Sequence, residues 1–199
     1  DLTVTGVQTC ALPIFKREVR YRVPNKNQCK ECHSTNDVIS PIGPKARNLD
    51  KNLTYGSETK NQLAYLLQKG VIDSIPLNFQ TVSDWEDESQ SLEDRARAYL
   101  AINCGHCHTP SGVANSTGLY LDFNEVRPLH LGINKSPVAT GRGSGNLNYS
   151  IVPGKAHESI LLFRMISTDP GVMMPESGRS LVHVEASNLI EEWINSMDN

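Results

Sequence analysis

The chain has 199 residues, 38% of them hydrophobic, and a formal charge of −3 from 19 Lys and Arg against 22 Asp and Glu. That near-neutral balance carries no electrostatic signature of a nucleic-acid partner, and no run of about 18 apolar residues is present to span a membrane. The length suits one or two small domains.

In chain order, residues 3–14 resemble a translated sequencing adaptor and lack the basic start of an export signal. Residues 1–14 are therefore read as an adaptor-derived artefact, with no role for Cys10. The expectation is of a fragment whose true N-terminus and export signal lie upstream. Val19, Tyr21 and Val23 alternate and predict a short strand that Pro24 ends. The pentapeptide Cys29-Lys-Glu-Cys32-His33 follows at once, without a preceding helix. Pro41, Gly43 and Pro44 predict a loop. Ser57 is expected to cap a helix bearing Leu63, Leu66 and Leu67, which Gly70 stops. Residues 73–90, with Pro76 and four acidic side chains between Asp84 and Glu88, read as a linker.

The second half opens with Ser91 and Asp94, a helix-capping pair, and with Leu92, Ala96, Tyr99 and Leu100 at helical spacing. This helix runs into a second pentapeptide, Cys104-Gly-His-Cys107-His108. Residues 109–150 are rich in Gly, Ser, Asn and Pro and predict a long loop with a short strand at residues 119–123. Gly141-Arg-Gly-Ser-Gly145 lacks the lysine and the strand-to-helix context of a phosphate cradle and reads as a flexible loop. Ile160, Leu161, Arg164, Met165 and Ile166 predict a helix broken by Asp169-Pro170-Gly171. Ala186, Ile190, Trp193, Ile194 and Met197 predict a C-terminal amphipathic helix.

The two pentapeptides are copies of Cys-x-x-Cys-His, the pattern that attaches haem c. Two cysteines three positions apart on a helical turn can each form a thioether to a vinyl group, and the following histidine reaches the iron. Zinc knuckles and thioredoxin-like redox pairs are the alternatives. A zinc ribbon brings its pairs within about 20 residues, and a redox pair opens a helix in a βαβ unit. Here the pairs lie far apart and no βαβ pattern surrounds them. Two covalently bound haem c groups are therefore expected, at Cys29, Cys32 and His33 and at Cys104, Cys107 and His108.

The opposite face of each iron needs its own account. Met174, directly before Pro175, supplies a thioether for the second iron, with the adjacent Met173 as its rival; Met165 and Met197 fall on apolar helix faces and read as core. Between His33 and Cys104 there is neither a methionine nor another histidine. The first iron is then five-coordinate, or takes its ligand from another domain, or is approached by Lys45, Asn48 or Tyr55. His106 is expected to point away from the iron into solvent, and His130, His157 and His183 to be surface or capping residues.

Residues 21–29, 42–49, 98–100, 103–108, 141–145, 151–154, 173–176 and 178–183 together resemble an uncharacterised bacterial family of dihaem c-type cytochromes. The order of helix, motif, loop, helix, Met-Pro and final helix is similar to a class I cytochrome c domain. The resemblance covers nearly everything after residue 15. It implies an all-α fold of two small cytochrome c-like haem domains with long loops and a few short strands, at residues 15–88 with the linker and residues 89–199. It implies Met174 as the distal ligand of the second haem. It also implies electron transfer between redox partner proteins in the periplasm or at the cell surface of a bacterium, and an upstream domain packed near the first haem. A dihaem peroxidase or ligand-binding protein using an open first haem is the alternative function.

Overall fold

The computed structural model describes residue 19, residues 21–36 and residues 38–198. The expectations for residues 1–14 and Cys10 lie outside the described residues. Seven α-helices and two separate two-stranded antiparallel sheets are present among them, so the fold is mixed rather than all-α.

Both sheets lie in the first half, where the sequence had predicted only one strand. Helix α1 (Lys26–Cys32) is followed by the hairpin β1 (Ser34–Thr35) and β2 (Val38–Ile39) and by the short α2 (Ala46–Leu49). Strands β3 (Asn52–Tyr55) and β4 (Glu58–Asn61) pair around a two-residue turn in which Gly56 holds φ +67°. Gly in the first central position of such a turn matches the twist of the flanking strands. Thr54 and Thr59 face each other with their hydroxyls 3.3 Å apart, and Tyr55 stacks on Tyr65 at 3.9 Å between centroids. These β-branched and aromatic residues favour a pleated surface. Ser57 therefore sits in a hairpin turn and does not cap a helix. Helix α3 (Gln62–Gln68) starts later, where the Asn61 side chain accepts from the Ala64 N–H. Val19, Tyr21 and Val23 lie outside any strand, and so do residues 119–123.

The second half follows the helical spacing closely. Helix α4 (Leu92–Asn103) is capped by Ser91, whose Oγ accepts from the Asp94 N–H and donates to its carboxylate. A short α5 (Pro128–Leu131) begins with proline in its first turn, where the missing N–H costs nothing. Helices α6 (Ile160–Ile166) and α7 (Val184–Asn195) match the two predicted amphipathic segments. Gly141–Ser144 form a single 3₁₀ turn.

The core belongs to this half. Leu100, Leu121, Ile151, Leu162, Ile190, Trp193 and Ile194 are all fully buried, whereas Leu63 is the only buried residue described before α4. Helix α7 crosses α4, and the Trp193 indole N–H donates to the Glu93 carboxylate. Burial of this many large apolar side chains on one nucleus makes α4, α6 and α7 the rigid frame of the molecule. The expectation of an all-α, cytochrome c-like fold is thus corrected: packed helices dominate the second half, whereas the first is built from two hairpins and short helices. The first half leans on the frame through Arg47, which reaches Asp122 at 3.2 Å, and through the Asn36 N–H, which donates to the Ser111 carbonyl. No helix among the described residues is long and apolar enough to cross a membrane.

Candidate haem-attachment site

The same backbone hydrogen bond closes each pentapeptide, the first at the end of α1 and the second in the turn that follows α4. In the first, Asn25 and Gln28 cap α1 reciprocally, and the His33 N–H donates to the Cys29 carbonyl at 2.9 Å. In the second, at the C-terminus of α4, the His108 N–H donates to the Cys104 carbonyl at 2.9 Å. An i to i+4 bond of this kind brings the first cysteine and the histidine onto one face of the turn. Glycines let the second turn sit close to its neighbours. A Cβ at Gly105 would lie 2.7 Å from the Ala101 carbonyl oxygen and 3.0 Å from that of Leu121, and one at Gly112 would collide with that of Cys107.

The surroundings of the two turns differ. Cys104 packs against the core, and burial pushes its thiol up to about 12. Burial also raises the Cys107 thiol to about 12, with Cys32 adding to the effect. The His108 ring is held below its usual value chiefly by burial, while the Leu119 carbonyl acts in the opposite sense. Its Nδ1 is shielded from water and has no hydrogen-bond partner of good geometry. In the first turn Cys29 and His33 are exposed and Cys32 is half-buried.

These turns meet. Cys32 Sγ, Cys107 Sγ and a ring nitrogen of His106 lie within 4.8 Å of one another, and the Cys107 thiol points at the Glu31 carbonyl at 3.6 Å. Nothing in the sequence signals this approach between motifs that stand so far apart along the chain. His106 was expected to face solvent. It is half-buried instead, with Nδ1 shielded and without a partner, and burial lowers its pKa.

Met174 lies on a loop that runs past the second turn. Its N–H donates to the Arg164 carbonyl at 3.1 Å, the Arg164 guanidinium pairs with Glu176 at 3.5 Å, and the charges of Arg164 and Glu176 are felt at His108 and Cys107 respectively. Met174 is half-buried, whereas Met173 is only 7% exposed and packed inside. A groove of about 410 Å³ lies beside this loop between Tyr99, Asn103, Pro175, Arg179 and His183, and none of the expected ligands lines it.

Of the residues considered for the first iron, Tyr55 is engaged in its stack on Tyr65, and Lys45 lies close enough to His106 to influence its titration. His183 accepts or donates at the Tyr99 hydroxyl, 3.2 Å away, and packs edge-on against Trp85. His157 pairs with Glu191 at the surface, and His130 lies against Tyr120 and Glu125.

The residues fit haem c as a donor set. All four motif cysteines are free thiols, each histidine N–H closes a turn onto its first cysteine's carbonyl, and Nδ1 of His108 is shielded from water. Comparison with protein-family models, with curated proteins and with solved structures found no match.

Proposed function

We propose that the chain is an exported dihaem c-type cytochrome that passes electrons between redox partner proteins in the periplasm or at the surface of a bacterium. Cys29, Cys32 and His33 would hold one haem c and Cys104, Cys107 and His108 the other, with Met174 as a further ligand to the second. The observation that carries this reading is the repeated Cys-x-x-Cys-His sequence on two like turns, each closed by a histidine N–H to the first cysteine's carbonyl.

When bound, haem c supplies a one-electron Fe(III)/Fe(II) couple. The chain's residues hold and tune it. Burial lowers the His108 pKa and so favours the neutral imidazole, the form that donates a lone pair to a metal. The soft sulfur of Met174 would favour Fe(II) more than a second imidazole does, and so raise the potential. The approach of Cys32 to Cys107 supports electron passage within the chain, because the sulfurs that anchor the two groups are neighbours.

Protein matured by a cytochrome c assembly system is expected to titrate in two reversible one-electron steps. Protein with no redox-active chromophore would overturn the reading.

A second reading has its own observation. His33 is exposed, and no methionine or histidine stands between it and Cys104. An open first iron would take small ligands or reduce peroxide. Carbon monoxide binding to one haem per chain, with turnover of hydrogen peroxide, supports it; two low-spin haems inert to both exclude it.

A further inference from the structure

We propose that the chain, before any thioether forms, binds a single zinc(II) ion between Cys32, His106 and Cys107. The three donor atoms lie within 4.8 Å of one another although Cys32 comes from the first turn and the other two from the second. Zinc ligands sit about 2.3 Å (sulfur) and about 2.0 Å (nitrogen) from the ion in a tetrahedron, which places them roughly 3.5–4 Å apart. Closing the observed triangle onto an ion thus needs the donor atoms to approach one another by no more than about 1.3 Å, within reach of side-chain rotation.

The surrounding structure supports the arrangement. The Cys107 thiol already points across to the first turn at the Glu31 carbonyl, and the Asn36 to Ser111 hydrogen bond joins the segments that follow the two motifs. The His106 ring makes no side-chain hydrogen bond among the described residues, its Nδ1 is shielded from water and the Ile102 backbone acts on it, and one ring nitrogen faces the two sulfurs. Two thiolates and an imidazole are a borderline-soft set that selects zinc over magnesium or calcium. Zinc displaces the two thiol protons to solvent, the resulting centre is neutral, and the half-buried position of all three residues leaves the fourth ligand to water.

The site uses the thiols as they stand and does not depend on the haem reading. If that reading holds, the same two sulfurs serve both groups, so zinc occupancy and haem attachment exclude each other.

The test uses the full chain, reduced and without haem, titrated with zinc against a chromophoric chelator and with cobalt(II) as an optical probe. One equivalent is expected, with thiolate-to-cobalt absorption. C32S, C107S and H106A should each weaken binding by roughly tenfold or more, while C29S and C104S bind as wild type does. Equal loss in C29S or C104S would show each motif chelating through its own pair and would overturn the proposal, as would two equivalents or none. A measurement on the unaltered chain guards against misfolded variants. Zinc should protect Cys32 and Cys107 from alkylation and leave Cys29 reactive, whereas protection of Cys29 equal to that of Cys32 contradicts the site.

Discussion

The thiol of Cys32 lies within 4.8 Å of the thiol of Cys107, so the two Cys-x-x-Cys-His turns share one locality even though each is followed by its own segment of chain. Any group attached at one turn is therefore next to the group attached at the other. The second turn rests on the α4–α6–α7 frame, and the first is held against it from outside.

The half-buried Met174, on the loop past the second turn, is expected to set the second haem's potential. In matured protein, Met174→His should lower that potential while leaving the first unchanged, because a second imidazole favours Fe(III) relative to a thioether. Spectroelectrochemical titration reads the change. A potential that stays fixed in Met174→His and moves in Met173→His would transfer the role to Met173.

Gly105 marks how closely the second turn is packed. Gly105→Ala places a methyl group 2.7 Å from one backbone oxygen and 3.0 Å from another, neither of which can rotate away. A loss of about 1–3 kcal/mol in urea unfolding is expected, together with a lower yield of haem attached at Cys104 and Cys107. A variant as stable as wild type would mean that the turn yields more readily than this packing implies.

Trp193 joins α7 to α4 and is 2% exposed. Trp193→Ala opens a cavity in the centre of the frame and leaves the Glu93 carboxylate without its indole donor. The expected cost is about 3–5 kcal/mol, read as a lower urea midpoint with little change in slope. A change below about 1 kcal/mol would contradict the placement of the core at this crossing.

Glu125 carries a pH dependence. The Arg127 hydrogen bonds hold its carboxyl at about 2, below the ordinary 4.5. A carboxylate depressed in the folded state stabilises the protein above its unfolded pKa and loses that contribution as pH falls through the folded value. Glu125→Gln should therefore be destabilising at neutral pH, and the difference from wild type should shrink between pH 4.5 and about 2. Thermal unfolding across that range checks it. A difference independent of pH would assign the effect to packing.

The helices of the second half were legible because each presents a stripe of apolar residues to one core. Leu92, Ala96, Tyr99 and Leu100 on α4 meet Ala186, Ile190, Trp193 and Ile194 on α7 in a shared cluster, and both periodicities follow from that burial. The first half has almost no core, so its structure is decided by turns and cross-strand pairs. Thr54 against Thr59 around Gly56-Ser57 forms a hairpin, and a reading that took Ser57 as a helix cap missed it. Trp85 was hidden in a polar linker, yet it packs edge-on against both Tyr99 and His183 and its carbonyl accepts from Arg95. The two Cys-x-x-Cys-His pentapeptides were readable because a local spacing is visible in the sequence itself. Their meeting at Cys32 and Cys107 was not, since a contact between distant segments leaves no period in the sequence.

The most direct test of the central claim is the intact mass of this chain after export through a cytochrome c assembly system. Two covalent haem additions are predicted, falling to one in the Cys104→Ala/Cys107→Ala variant. A wild-type mass with no haem added, or with one alone, would contradict the dihaem assignment.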